Sequence, residues 1–308
     1  MKSTKLPNIL GLLAILFWST SIGITRLVSN ELGQPLQTII IVTGLSGLFG
    51  LLLNLLIYRS TIWSKIKSIP FDYYYRVGIY FILYLFCFYF SLGLPDQEPV
   101  IITVGLINYL WILSIFVLSI PILKKKVSYV SFGLGSLIAI VGIVLAVLNI
   151  SGLSVDQLGV SFLENGLVYG ISFTGAIIWG IYSNMTAKYQ LKESTIVIPV
   201  LFLITTGIAF TILVVLRQQI EPIQLDTIQW LSLFYLAIFP LALAYTFWNI
   251  AMRQGDETLI TAIAYVIPVI STFISGYLLN VTIDLYFALA AVMVVVGAVI
   301  SWKAFEVE

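Results

Sequence analysis

The sequence predicts an all-α polytopic membrane protein, with ten transmembrane helices arranged as two inverted-topology five-helix repeats. Three observations predict it. First, 60% of the 308 residues are hydrophobic and only 9% are charged, against roughly 25% charged in a soluble domain. The mean hydropathy is +1.07, and a soluble globule could not cover that much apolar surface with 15 basic and 14 acidic side chains. Second, the apolar residues fall into ten continuous stretches, each near the ~20 residues that a helical span requires. They do not alternate, which excludes a transmembrane barrel. Third, with the N-terminus inside, the inner segments hold every Lys and Arg of the 15 except Arg26 and Arg217. A wrong span count would scramble that bias.

The elements follow in order. Asn8–Val28 comes after Lys2 and Lys5, as a signal peptide's apolar run would. It is too long and has no small-x-small cleavage site, so it reads as an uncleaved first helix. Pro35–Tyr58 carries Gly44, Gly47 and Gly50 at a three-residue step, a close-packing face. Tyr73–Leu94 carries Tyr80, Tyr84 and Cys87, and at its edge Trp63, Tyr73, Tyr74 and Tyr75 read as interfacial belt aromatics. Val100–Ile120 carries Asn108, Tyr109, Trp111 and Ser114. Ser128–Asn149 follows Lys124, Lys125 and Lys126, a topology signal or a contact for anionic lipid. The linker from Asn149 to Asn165 is too short for a folded module. Asn165–Lys188 carries Gly166 and Gly170 as G-x-x-x-G, a second expected packing face, with Ser172, Trp179, Tyr182 and Ser183. Thr195–Leu216 is the seventh stretch. Thr227–Met252 carries Pro240, Tyr245, Trp248 and Asn249. Leu259–Leu279 carries Tyr265 and Pro268, and Asp284–Trp302 closes the set.

The halves resemble each other. Trp18 in Gly11-Leu-Leu-Ala-Ile-Leu-Phe-Trp18-Ser aligns with Trp179 in Ser172-Phe-Thr-Gly-Ala-Ile-Ile-Trp179-Gly. Asn108-Tyr109 matches Ala264-Tyr265, and Gly142 matches Gly297. Five helices per half is odd, so the second copy inserts upside down. The expected units are residues 1–150 and 151–308 within one membrane domain. Their interface near the midplane is the expected binding site.

The chemistry left to such a chain is narrow. There is no histidine and only one cysteine, Cys87. That excludes His-based acid–base catalysis, His-containing triads, an intramolecular disulfide and nearly every metal site. Glu98, Glu164 and Asp284 lie near outer helix ends, and Asp72, Arg76, Asp256 and Glu257 near inner ends. No carboxylate or amine sits in the middle third of a helix, where one would cost about 2.5–3.5 kcal/mol and mark an ion path. Neutral polar and aromatic groups do sit there, and burying them unpaired in hydrocarbon is costly. They are expected to line a cavity suited to an amphiphilic zwitterion. The candidate substrate-binding residues are Tyr84, Asn108, Tyr109, Trp111, Trp179, Tyr182, Tyr245, Trp248, Asn249 and Tyr265. Pro240 and Pro268 are candidate kinks, each removing a backbone hydrogen bond within a helix.

Several segments resemble the drug/metabolite transporter superfamily of EamA type. They are Gly11-Leu-Leu-Ala-Ile-Leu-Phe-Trp18-Ser-Thr-Ser-Ile-Gly23-Ile-Thr-Arg26, Ser46-Gly-Leu, Ile107-Asn108-Tyr109-Leu110-Trp111, Gly175-Ala-Ile-Ile-Trp179 followed by Lys188-Tyr189, Ala244-Tyr245-Thr-Phe-Trp248-Asn249 and Tyr265-Val-Ile-Pro268-Val-Ile-Ser. Together they are similar to its YddG-type aromatic amino acid exporters over nearly the whole chain. The resemblance implies a basket-shaped inner-membrane exporter working by alternating access, with Tyr109 and Trp111 lining its cavity and Tyr84 and Trp179 as weaker carry-overs. Two positions depart from the family pattern. Ile112 replaces a proline, so the fourth helix is expected to be straighter than the ninth. Thr103 stands where relatives can carry an acid, which weighs against carboxylate coupling.

The expected function is export of aromatic and large apolar amino acids across a bacterial inner membrane, with both termini cytoplasmic. An exporter of another small metabolite or drug is the alternative. A non-transporting subunit and a membrane enzyme are remote. Expected partners are an amino acid substrate and the lipid bilayer. No nucleic acid, cofactor or metal is expected, and a monomer is the expected unit.

Overall fold

The computed structural model describes residues 4–28, 32–95, 98–151, 154, 156–157, 164–191, 194–278 and 285–305. Lys2, Lys192, Leu279 and Asp284 lie outside the described residues, as do the side chains of Arg26 and Glu98. All regular structure among the described residues is helical. The helices are α1 (Lys5–Val28), α2 (Pro35–Tyr58), α3 (Ile62–Lys67), α4 (Phe71–Gly93), α5 (Glu98–Asn108), α6 (Trp111–Leu123), α7 (Tyr129–Ser151), α8 (Gly166–Tyr189), α9 (Ser194–Val215), α10 (Thr227–Gln254), α11 (Glu257–Ala264), α12 (Val266–Leu278) and α13 (Leu285–Lys303). Five helices are long and apolar enough to cross a membrane: Pro35–Lys67, Phe71–Gly93, Gly166–Tyr189, Thr195–Val215 and Thr227–Gln254. Shorter apolar helices accompany them.

Local chemistry sets the ends. Pro35 opens α2, where a missing N–H costs nothing. Asp226 caps α10 by accepting from the Gln229 backbone N–H at 2.8 Å, while the Gln229 side chain accepts from the Asp226 N–H at 2.9 Å. Asp256 caps α11 through the Leu259 N–H. Lys124 and Gln190 end α6 and α8 in the left-handed conformation, with φ of 57° and 54°.

Packing pairs the helices across the chain. α2 lies on α9, and α7 on α13. α1 packs on α10 and α12, while α8 packs on α4, α5 and α6. Small residues permit the close approaches. A Cβ at Gly47 would come within 2.7 Å of Leu203, and one at Gly50 within 2.6 Å of Pro199. Gly135 and Gly142 of α7 face α13, and Gly297 of α13 faces Gly135 and Ala139 of α7. Asn184 staples α8 to α6 by donating to the Ile115 carbonyl at 2.9 Å.

Three expectations fail. Gly166 and Gly170 are not a packing face, because no neighbour lies within 4 Å of a Cβ at either. α5 packs on this end of α8 through Tyr169 and Val168, and the two glycines lie off that contact. Tyr73 is not a belt residue. It is 1% exposed, packed edge-on against Tyr74 and Tyr189, whereas Trp63 at 68% exposure suits the belt. The fourth stretch is not straight. It breaks at Tyr109 and Leu110 without a proline, as Leu110 donates to the Ile107 carbonyl and Ile112 to the Tyr109 carbonyl. These tight i→i−3 bonds match the break at Tyr265, which donates to Ala262.

Candidate functional site

The α5–α6 break and the bend in α10 converge on one cavity of about 100 Å³. Its wall is aromatic because five chain segments each turn rings toward the same point. α1 supplies Trp18, α4 supplies Tyr84, the α5–α6 break supplies Asn108, Tyr109 and Trp111, and α8 supplies Trp179. α10 adds Pro240 and Tyr245. Pro240 sits in a π-helical stretch, Ala237–Leu243, which widens the turn enough to hold a proline. The bend also aims the Pro240 carbonyl inward, where it accepts from the Trp18 indole N–H at 2.8 Å.

Trp18 is the hub of the floor. Its ring centroid lies 5.2 Å from both Tyr245 and Trp248, 5.8 Å from Trp179 and 6.1 Å from Trp111. Trp111 meets Trp248 edge-on at 5.5 Å. Such edge-to-face pairs hold rings at fixed angles and are worth about 0.5–1.5 kcal/mol each beyond burial. The cavity extends from this floor toward one end of the bundle. Ser21 and Thr25 follow Trp18 along α1, Phe88 and Tyr89 follow Tyr84 along α4, and Leu236 precedes Pro240 on α10. The opposite end is tied shut. Lys125 pairs with Glu257 at 2.7 Å and also contacts Thr258. Asn8 accepts from the Asp256 N–H at 2.8 Å, and Tyr189 donates to Asp72 at 2.5 Å.

Of the sequence-derived site residues, Tyr84, Asn108, Tyr109, Trp111, Trp179 and Tyr245 line the cavity, as does Pro240. Trp248 lies in the floor, fully buried, with its indole N–H on Ser183 at 3.2 Å. Tyr182 and Asn249 lie below it, bonded to each other at 3.0 Å. Tyr265 is elsewhere, stacked on Phe116 in the core. Pro268 is buried in the first turn of α12, just past the break, where it disturbs no continuous helix. Trp18, Ser21, Thr25, Phe88 and Tyr89 were not among the candidates. Trp18 could have been, since its alignment with Trp179 gives the two equivalent places in the halves.

The cavity can bind but has little means to react. Asn108 is 8% exposed and its amide nitrogen has no hydrogen-bond partner. The Tyr84 hydroxyl faces Asn108 and Tyr245. Among the described residues no group of His, Cys, Asp or Glu could hold a metal. The wall therefore offers ring faces, neutral donors and the ends of broken helices.

Comparison with known proteins agrees with that character. The EamA-like transporter family matches residues 166–302. The aromatic amino acid exporter YddG of Escherichia coli (strain K12) is 31% identical over 302 residues, covering 96% of this chain and 97% of its own. The aromatic amino acid exporter YddG of Salmonella typhimurium (strain 14028s / SGSC 2262) is 30% identical over 304 residues, covering 99% of both. A crystal structure with 22% identity superposes with a TM-score of 0.78, covering 99% of this chain and 100% of that one, which shows the shared fold.

Proposed function

The chain belongs to the EamA-like transporter family, and from that premise we propose that it exports aromatic and large apolar amino acids by alternating access. The observation that carries the reading is the tryptophan-floored cavity beside a broken helix. A broken helix turns two oppositely polarised ends toward the same point. The start of α6 and the unpartnered Asn108 amide donate to a carboxylate. The end of α5 presents carbonyls to an ammonium. Trp111, Trp179 and Trp18 supply faces for an apolar side chain. A zwitterion with a hydrophobic tail matches all three, and a charged ion or a sugar does not.

The ten-span, two-repeat reading draws support from the packing. Exchanging α1 with α8, α2 with α9, α4 with α10, the α5–α6 pair with the α11–α12 pair, and α7 with α13 maps the principal helix pairs described above onto one another. The matching breaks at Tyr109 and Tyr265 obey the same exchange. Each half supplies a helix, α1 or α8, that packs into the other. The Lys and Arg bias supports a reading with both termini on the cytoplasmic side of a bacterial inner membrane; in that orientation the cavity faces outward and the Lys125–Glu257 end is the closed inner side.

Efflux of labelled phenylalanine from liposomes containing the purified protein tests the function. We expect release above empty liposomes, lost or strongly slowed in Trp111→Ala while that variant stays monodisperse. Equal release from loaded and protein-free liposomes would sink the reading.

A further inference from the structure

Below the tryptophan floor the packing toward the tied end changes character. On α10, Tyr245, Trp248, Asn249 and Arg253 occupy one helix face at three- and four-residue steps. Arg253 thus lies about 12 Å of helix rise beyond the cavity wall. On α8, Trp179, Tyr182, Ser183 and Thr186 run down in parallel, and α4 adds Tyr73. Arg253 is 7% exposed, and it is the only charged side chain among the buried residues described. Tyr73 and Tyr182 both lie within electrostatic reach of its guanidinium.

The cluster is polar beyond what its packing uses. The Tyr73 hydroxyl faces Asn249 and Thr186, yet Tyr73 Oη, Thr186 Oγ1 and Asn249 Oδ1 are all buried without a hydrogen-bond partner. Buried polar atoms are nearly always satisfied, and three exceptions around one buried cation need a reason. A fold that needed only packing here would place apolar side chains, which are often neutral or better in place of a buried charge.

We propose that Arg253, with the Tyr73 and Thr186 hydroxyls, forms a second substrate station toward the inner end: a carboxylate-binding subsite, with Asn249 Oδ1 left to accept from the ammonium, that loads an amino acid when the inner end opens. This rests on the exporter reading and supplies what the cavity lacks. Among the described residues, those that line the cavity include no lysine or arginine. A guanidinium fork matches a carboxylate in two parallel hydrogen bonds, and its charge remains fixed. The cytoplasmic side thereby captures the zwitterion by its carboxylate. The cavity above then holds it by weaker neutral contacts, from which it leaves readily.

The test uses everted membrane vesicles, whose exposed face is the inner one, with vesicles lacking the protein as background. Uptake of labelled phenylalanine is competed with unlabelled phenylalanine and with phenylalaninamide, which has no carboxylate. In wild type, phenylalanine competes far better than the amide. Arg253→Gln raises the KM for phenylalanine at least about tenfold, the scale of a lost hydrogen bond to charge, and brings the two competitors together. Arg253→Lys keeps part of the preference. Tyr73→Phe raises KM while its melting temperature is unchanged or higher, since it removes an unsatisfied hydroxyl. Lower maximal uptake in the Arg253 variants, with KM and competitor ratio unchanged in all three variants, means a structural role and overturns the proposal alone. No wild-type uptake above background overturns the exporter reading, and this inference with it.

Discussion

At the scale of single residues, the cavity depends on where unsatisfied atoms are tolerated. Asn108 buries an amide nitrogen with no partner in the protein. Such a group costs about 1–3 kcal/mol when left unpaired, so it weakens the fold unless something binds it. Asn108→Leu is therefore expected to abolish or greatly slow phenylalanine efflux while its melting temperature stays level or rises. A melting temperature several degrees lower, with efflux per folded molecule unchanged, would show the amide to be structural. Trp18 makes the opposite point. It reads as a repeat landmark in the sequence, but its indole N–H fixes the α10 bend through the Pro240 carbonyl. One ring thus ties the floor of the cavity to the kink that opens its wall.

At the scale of elements, two features separate sequence pattern from packing. The break between α5 and α6 forms without proline, and the Ile112 N–H makes only a 3.2 Å bond to the Tyr109 carbonyl. Ile112 sits in the first turn of α6, where proline is tolerated. Ile112→Pro should keep both fold and efflux, as judged by gel filtration and the liposome assay; a collapsed or inactive variant would mean that the break needs that bond. Glycine pairs give the second comparison. A Cβ at Gly297 would collide with the backbone of α7, whereas one at Gly170 would meet nothing. Gly297→Val is expected to cost at least 1–3 kcal/mol, the usual range for overpacking, and Gly170→Val close to nothing. Thermal melts in detergent distinguish them, and equal losses would refute the assigned α7–α13 contact.

At the scale of the whole molecule, the cavity and the ties at the far end correspond to one state of the proposed alternating-access cycle. The cavity runs along α1 past Ser21 and Thr25, and the other end is tied where Lys125 meets Glu257. With Cys87→Ser as background, Thr25→Cys and Gln218→Cys should react with a membrane-impermeant maleimide on intact cells, and Lys124→Cys should not. Added phenylalanine should slow labelling at Thr25→Cys but not at Gln218→Cys. The reverse pattern, Lys124→Cys labelled first, would invert the proposed orientation.

What the sequence determined by itself was whatever composition and spacing carry locally. Apolar run lengths set where the helices lie, and most of the cavity residues were legible as mid-helix polar and aromatic groups. Tyr84, Asn108, Tyr109, Trp111, Trp179 and Tyr245 were found that way. What only the tertiary structure decided was which face of each helix meets which neighbour. It sent Tyr265 into the core and Trp248 into the floor, buried Tyr73 and Arg253, left Gly166 and Gly170 without partners, and made Trp18 the hub. The physical reason is the solvent. In water an amphipathic stripe marks the packed face of a helix, but lipid is as apolar as a leucine-lined interface. A membrane helix therefore carries little contrast between its two sides, and only its neighbours show which way it turns.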